Sequence, residues 1–278
     1  MASALPENYA SFAGGIAEAY ADLLAPILFD PWLNYVMLKA RPSPGDRILD
    51  VACGPGRFCL RAAQIEPSAR FVCVDSSASM IRQAQIRCRD VATVKPLRAR
   101  AEQLPLRPVQ FDVVTCLFGL MFFRDRAAAL SGMMRTLRPG GCLVLTTWAE
   151  LSPLDFAGSI VAALEAQLPS GAEPLSRLPH SMGSPDLLRG LLVRAGFQRV
   201  TVEPMQAQAQ APSILAAVTA FTLGTPVVLE LMQRGVRDVE PVIHAAAKLL
   251  ELETGKSHLR RAFRAPSRAL LAQAVTRM

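Results

Sequence analysis

The chain has no lysine or arginine before Lys39, and no uncharged apolar run long enough to cross a bilayer. Neither a secretory leader, which needs a basic start ahead of its apolar stretch, nor a membrane span is therefore expected, and the protein reads as cytoplasmic. CxxC pairs are also missing. The six cysteines (Cys53, Cys59, Cys73, Cys88, Cys116, Cys142) stand apart, several inside apolar runs where a thiol packs as a small hydrophobe, so neither disulfides nor zinc are expected. The three histidines do not fall at ligand spacing with one another or with carboxylates, and no metal site is predicted. Lysine is scarce, four of the thirty basic residues, so the net charge of +7 comes mainly from single arginines spread along the chain. The one basic cluster is the tail, where Lys256, Arg260, Arg261, Arg264, Arg268 and Arg277 meet no acid in sequence. No RNA-binding module or aromatic–basic platform accompanies it, so a solvated face is preferred to a nucleic-acid partner.

What is present is an apolar content of 51%, ample for a packed core, with no internal repeat or low-complexity linker. A single domain over residues 1–278 is expected. Residues 1–40 form cap helices: Ala17, Tyr20, Leu23, Leu24 and Ile27 recur at helical spacing, broken at Pro26 and Pro31. Strands and helices then alternate. RILDVA (47–52), FVCVD (71–75), VKPL (94–97), the start of FDVVTCLFGLMFF (111–123) and CLVLTTW (142–148) read as strands, most of them fully buried. Helices begin near Gly56, at Ser77 as N-cap, and at RDRAAALSGMMRTL, the last stopped by Arg138-Pro139-Gly140-Gly141. This rhythm predicts an α/β fold around a largely parallel sheet. After Trp148 a Pro- and Ala-rich helical stretch is expected over 152–183. A helix from Ser184-Pro185 to a left-handed Gly196 follows, then a strand over 197–204, two or three helices in 212–254, and a last strand over 268–275. The core would thus occupy 45–150, completed by 184–210 and 255–278, with helical lid insertions at 151–183 and 212–254.

Gly54-Pro55-Gly56 lies between a strand and a helix, where a glycine turn lets a ligand approach the main chain. Asp50 closes the strand before it. Asp75, twenty-one residues after Gly54, falls at the end of the second strand, where a carboxylate can accept hydrogen bonds from both ribose hydroxyls. Turn and acid together predict a nucleoside site. A dinucleotide is not excluded by these residues, because Gly54-x-Gly56-x-x-Cys59 nearly satisfies the glycine fingerprint.

Four segments narrow the choice: ILDVACGPG (48–56), AEQLPL (101–106), FDVVTCLFGLMFF (111–123) and LRPGGCLVLTTW (137–148). In order and spacing they resemble the motifs of class I S-adenosylmethionine-dependent methyltransferases, nearest the ubiquinone/menaquinone-type and small-molecule subgroup, over about residues 45–205. The resemblance implies a Rossmann-like, doubly wound, mostly parallel seven-stranded sheet and S-adenosyl-L-methionine as cofactor. It also implies that Ala52, Cys53 and Gly54, with Gly56 completing the turn, line the methionine portion, and that Asp75 holds the ribose. Ser76 and Met80 would flank the adenine, Ala101 and Glu102 would meet its edge, and Cys116 and Leu117 would lie under the sulfonium. Tyr20 would cover the cofactor from the leading helix, while Phe118 and Phe122 would pack the core. One departure is Arg100, where many relatives carry an acid that contacts the adenine amino group.

Methyl transfer is an in-line displacement that positioning alone accelerates, so a general base is needed only if the acceptor must lose a proton. His180, which follows strand five, is the first candidate for that role, ahead of His244 and His258. The aliphatic insertions suit an apolar small-molecule acceptor, or a dimer face. Other readings are a repurposed cofactor binder of the same fold, an RNA methyltransferase using the basic tail, and a nicotinamide oxidoreductase.

Overall fold

The computed structural model describes residues 15–255 and 262–277. Lys256, His258, Arg260 and Arg261 of the basic tail lie outside them. Seven strands, β1 (Arg47–Val51), β2 (Arg70–Asp75), β3 (Val94–Arg98), β4 (Phe111–Leu117), β5 (Leu137–Trp148), β6 (Gln198–Ala211) and β7 (Phe263–Val275), form one sheet of order β3-β2-β1-β4-β5-β7-β6. The first five strands pair in parallel, and β7 runs antiparallel to both β5 and β6. This is the mostly parallel, Rossmann-like sheet that the sequence implies.

Both faces are covered, which explains why the central strands are continuous apolar runs. Side chains alternate between two cores along each strand. Leu49, Val51, Val114, Cys116, Leu143 and Leu145 join one cluster, while Ile48, Val113 and Val144 join the other. The smaller cluster is closed by α2 (Asp30–Ala40), α3 (Arg57–Ile65) and α4 (Ala78–Arg87). The larger takes α5 (Arg126–Thr136), α7 (Pro185–Arg194) and both insertions. Local chemistry starts the helices as expected. Ser77, Asp125 and Ser184 each accept a hydrogen bond from the backbone N–H three residues on, and Gly196 is left-handed at φ +98°.

Four expectations are corrected. The leading segment is not broken at its prolines. After α1 (Gly15–Ala19) a π-helical stretch, Tyr20–Phe29, contains Pro26 and runs directly into α2, with Pro31 in its first turn. The wider register absorbs the missing proline N–H, and Asp30 N–H reaches back five residues to the Ala25 carbonyl. Residues 152–183 contain one helix, α6 (Phe156–Glu165), and a single 3₁₀ turn at Leu178–His180; the rest is irregular. β5 begins at Leu137, so Arg138–Gly141 bulge out of a strand that pairs on both sides of them. β6 and β7 are longer than their apolar cores. In 206–211 the inward positions are only alanines (Ala207, Ala209, Ala211) between exposed glutamines, a period of two written in residues of low strand propensity.

The second insertion supplies α8 (Ile214–Leu223), α9 (Val227–Gln233) and α10 (Glu240–Thr254). α6 packs on α8 and α10, and α8 rests on the π-helical segment. The irregular chain after α6 is pinned from both insertions. Glu165 accepts Leu175 N–H at 2.7 Å, the buried Glu230 accepts Ser176 N–H at 2.9 Å, and Arg234 donates to the carbonyls of Glu173 and Pro174. Among the described residues no single helix is long and apolar enough to cross a membrane.

Gly158 in α6 faces the backbone of Ser152 so closely that a Cβ would fall 1.8 Å from its carbonyl oxygen. Gly158→Ala should therefore destabilise the protein by about 1–3 kcal/mol through overpacking against main chain that cannot move aside. Urea unfolding followed by circular dichroism measures it; an unchanged midpoint would contradict the packing described.

Candidate functional site

The strand order reverses between β1 and β4, and their carboxyl ends open the crevice where α/β sheets bind ligands. The chain leaves β1 through three left-handed residues, Ala52 (φ +58°), Gly54 (φ +53°) and Gly56 (φ +76°). Cys53 N–H donates to the Val74 carbonyl at 3.0 Å, tying the turn to the end of β2. The two glycines serve different needs. A Cβ on Gly56 would crowd Ala84 and Cys88 at 3.1 and 3.3 Å, so this glycine lets α4 approach the turn. A Cβ on Gly54 would point at the Tyr20 ring, 3.9 Å away, and would fill the slot between turn and ring.

Asp75 closes the slot. Its Oδ2 accepts Gly54 N–H at 2.9 Å and its Oδ1 accepts Ser77 N–H at 2.8 Å, and a carboxylate has about four acceptor sites, so capacity remains on the group as a whole. Burial pushes its carboxyl above the ordinary range, opposed by the N–H groups of Ser77, Gly54 and Ser76. Behind the turn, Asp50 accepts Thr115 Oγ1–H at 2.6 Å and lies 3.8 Å from the Cys59 sulfur. Burial raises it to about 7, with the Thr115 hydrogen bond opposing.

From the other side, the chain leaving β4 turns at Phe118, left-handed at φ +54°, and at Gly119, where a Cβ would lie 2.4 Å from that of Ala52. Only glycine lets the two loops meet there. Phe118 stacks on Trp148 with ring centroids 3.8 Å apart, and Phe29 meets both rings edge-on at 5.4 Å and Tyr20 at 4.9 Å. Ion pairs Arg57–Asp30 and Arg87–Asp22 hold the leading helical segment against α3 and α4.

One cavity runs from this turn to the insertions. Tyr20, Ala52, Gly54, Asp75, Ser76, Met80 and Leu117 line one end, with Phe118 and Phe122 beside them. Ala157 and Val161 of α6, Phe221 of α8 and Val227 of α9 line the other, where Asp155, His180 and Arg268 supply polar groups. Cys53 borders a smaller adjoining pocket with Asp50 and Arg57. Gly56, Ala101, Glu102 and Cys116 do not border the cavity: Ala101 and Cys116 are buried in the core, and Glu102 accepts Arg124 N–H at 3.0 Å and lies 3.4 Å from Arg100. His180 Nδ1 sits 2.7 Å from the Ala149 carbonyl, which can only accept, so Nδ1 carries the proton and Nε2 is the basic nitrogen. Burial lowers its pKa, against the Ala149 carbonyl and Asp155. His244, exposed on α10 beside Glu240, does not line this cavity. Phe29, Trp148, Asp155 and Arg268 were not legible as site residues, and Phe118 and Phe122 are wall as well as core. Arg268, assigned in sequence to a basic tail without acids, donates from Nε to both oxygens of Asp155 at 2.9 and 3.1 Å.

Residues 48–141 match the model of the family described as "Methyltransferase domain". Over 198 residues the chain is 31% identical to the ubiquinone/menaquinone biosynthesis C-methyltransferase UbiE of Ectopseudomonas mendocina, an alignment covering 66% of this chain and 77% of that protein. The chain belongs to the class I S-adenosylmethionine-dependent methyltransferases. Solved structures share the fold of this methyltransferase at low identity. Phosphoethanolamine N-methyltransferase 2 of Haemonchus contortus, solved with phosphomonomethylethanolamine and S-adenosylhomocysteine, superposes with TM-score 0.59 at 15% identity over 94% of this chain and 57% of that one. The YcgJ protein of Bacillus subtilis does so with TM-score 0.55 at 17% identity over 88% and 98%. The methyltransferase uses S-adenosylmethionine, and the turn is compatible with it: a carboxylate with acceptor capacity to spare borders a slot that a Cβ at Gly54 would fill.

In the unfolded chain Asp50 titrates near 3.8, and in the folded protein near 7, so between these values the folded state binds the extra proton. That contribution to stability is therefore present at low pH and lost as pH rises from about 4 to 7. Asp50→Asn should flatten the corresponding part of the pH–stability curve of the ligand-free methyltransferase. Parallel slopes for wild type and variant in urea titrations across that range would show that Asp50 is not the group responsible.

Proposed function

We propose that this methyltransferase moves a methyl group from S-adenosylmethionine to a largely apolar small-molecule acceptor, at a carbon atom, inside the cavity between the glycine turn and the two insertions. The observation that carries the reading is the continuity of that cavity: the same walled space touches Asp75 and Gly54 at one end and apolar side chains of α6, α8 and α9 at the other. Carbon as the attacking atom is supported by relatives named as C-methyltransferases. The insertions act as the lid, pinned together through Glu165, Glu230 and Arg234.

In this reading Asp75 receives the ribose hydroxyls, Ser76 and Met80 flank the adenine, and Ala52, Cys53 and Gly54 border the methionine portion under the Tyr20 ring. Glu102 and Ala101 act indirectly, by shaping the loop beside the adenine. The bound cofactor supplies an activated methyl group. The residues of the chain hold the acceptor in line at about 3 Å from it and keep water away, which contributes several kcal/mol without a catalytic side chain. Where the acceptor must lose a proton, His180 takes it at Nε2.

Asp75→Ala should weaken S-adenosylhomocysteine binding by about 1–3 kcal/mol in calorimetry, since a charged acceptor of two hydroxyls is removed. The melting temperature should fall too, because Gly54 and Ser77 N–H lose their acceptor. An unaltered dissociation constant in a folded variant would rule Asp75 out as the ribose ligand.

The acceptor class is tested by incubating the methyltransferase with radiolabelled S-adenosylmethionine and either an organic-extractable metabolite pool or total RNA, at low and high salt. Label should enter the organic fraction with little dependence on salt, and His180→Ala should lower that turnover by about 10²- to 10⁴-fold while leaving S-adenosylhomocysteine affinity intact. Salt-sensitive methylation of RNA would overturn the assignment, since phosphate-driven binding weakens steeply with counterions.

A further inference from the structure

The polar end of the cavity is built from residues far apart in the chain. Asp155 precedes α6 at the position where its residue type ordinarily caps a helix, yet its side chain makes no capping bond. It is turned instead toward Arg268 of β7, whose Nε donates to both of its oxygens. Asp155 is nearly buried, with a side-chain exposure of 10%, whereas that of Arg268 is 43%. With Nε engaged, Nη1 and Nη2 make no hydrogen bond among the described residues, so four N–H donors remain on a guanidinium that lines the cavity.

We propose that Arg268, oriented by Asp155, is a specificity-determining residue that grips the acceptor by a neutral carbonyl oxygen, so that the acceptor is an apolar molecule carrying a ketone. This rests on the apolar acceptor proposed above. Charge decides between oxygen groups. The Arg268–Asp155 pair is neutral as a unit, so a carboxylate would add an uncompensated negative charge in an apolar cavity beside Asp155, whereas a carbonyl accepts two N–H donors and adds none. A pure hydrocarbon would bury those donors without partners. The backbone also brings the guanidinium near the candidate base: Ala149 donates its N–H to the Arg268 carbonyl at 3.1 Å and accepts His180 Nδ1–H at 2.7 Å. A carbonyl held by a guanidinium has its neighbouring C–H bonds made more acidic, which suits methylation at carbon.

Three probes with one apolar body separate the possibilities: 2-acetylnaphthalene, 2-ethylnaphthalene and 2-naphthoate, each titrated by calorimetry into the 278-residue chain saturated with S-adenosylhomocysteine. The ketone should bind about tenfold more tightly than the hydrocarbon, as hydrogen bonds from a charged donor supply, and more tightly than the carboxylate. Arg268→Gln should abolish the ketone's advantage over the hydrocarbon and leave the S-adenosylhomocysteine constant unchanged. Because that variant strands a nearly buried carboxylate, the Asp155→Asn/Arg268→Gln pair, which removes both charges, should give the same loss of preference in a protein of near-native stability. Equal binding of ketone and hydrocarbon, or a ketone preference that survives both variants, would overturn the carbonyl grip while leaving the apolar cavity in place. Tightest binding by 2-naphthoate would show an anion site instead. Failure of all three probes to bind would count against the apolar acceptor itself, and so against both proposals.

Discussion

The two hydrogen bonds from Gly54 and Ser77 N–H to the Asp75 carboxylate are the constraint on which the site depends. They join the turn after β1 to the end of β2, next to the bond from Cys53 N–H to the Val74 carbonyl. The carboxylate is half-buried, and its charge is tolerated because backbone donors face it. An anion held in this way is rigid, and its residue lines the cavity. The same group therefore fixes the shape of the loop and lines the cavity beside it.

Around this junction the packing leaves little freedom. Gly119 brings the loop after β4 against Ala52, Phe118 takes a left-handed backbone to stack on Trp148, and Phe29 braces both rings from the π-helical segment. A left-handed phenylalanine is costly unless its surroundings determine it, and here they do: its N–H is held by the Thr146 carbonyl at 3.0 Å and its ring by Trp148, Phe29 and Trp32. The π-helical register has a comparable role. It carries Pro26 without a break, so one continuous helical run delivers Tyr20 over Gly54 and Phe29 into the aromatic wall.

The polar groups of the cavity are few and each has an assigned neighbour. His180 has one nitrogen fixed on the Ala149 carbonyl, and Arg268 has one edge fixed on Asp155. An apolar space with a small number of oriented polar groups selects ligands by where their oxygen atoms fall, more than by total contact area.

The buried strands, the glycine turn, the acid at the end of β2 and the N-caps at Ser77 and Ser184 were all legible in the sequence, because each is a local pattern: an apolar run between breakers, a backbone sign that favours glycine, a side chain that bonds three residues ahead. The family resemblance was legible for the same reason, since its motifs are short and contiguous. What the sequence could not yield was long-range. Gly119 reads as an ordinary loop glycine until the β1 and β4 loops are brought together, and Arg268 reads as part of a basic tail until β7 lies beside β5 and meets Asp155, 113 residues away in the chain. The outer halves of β6 and β7 escaped notice because alanine, glutamine and arginine carry a period of two with little strand propensity of their own, and there it is their mutual pairing, a tertiary contact, that makes them strands. Local chemistry thus determined the elements and the glycine turn, and only the three-dimensional packing of distant segments decided which polar groups line the cavity.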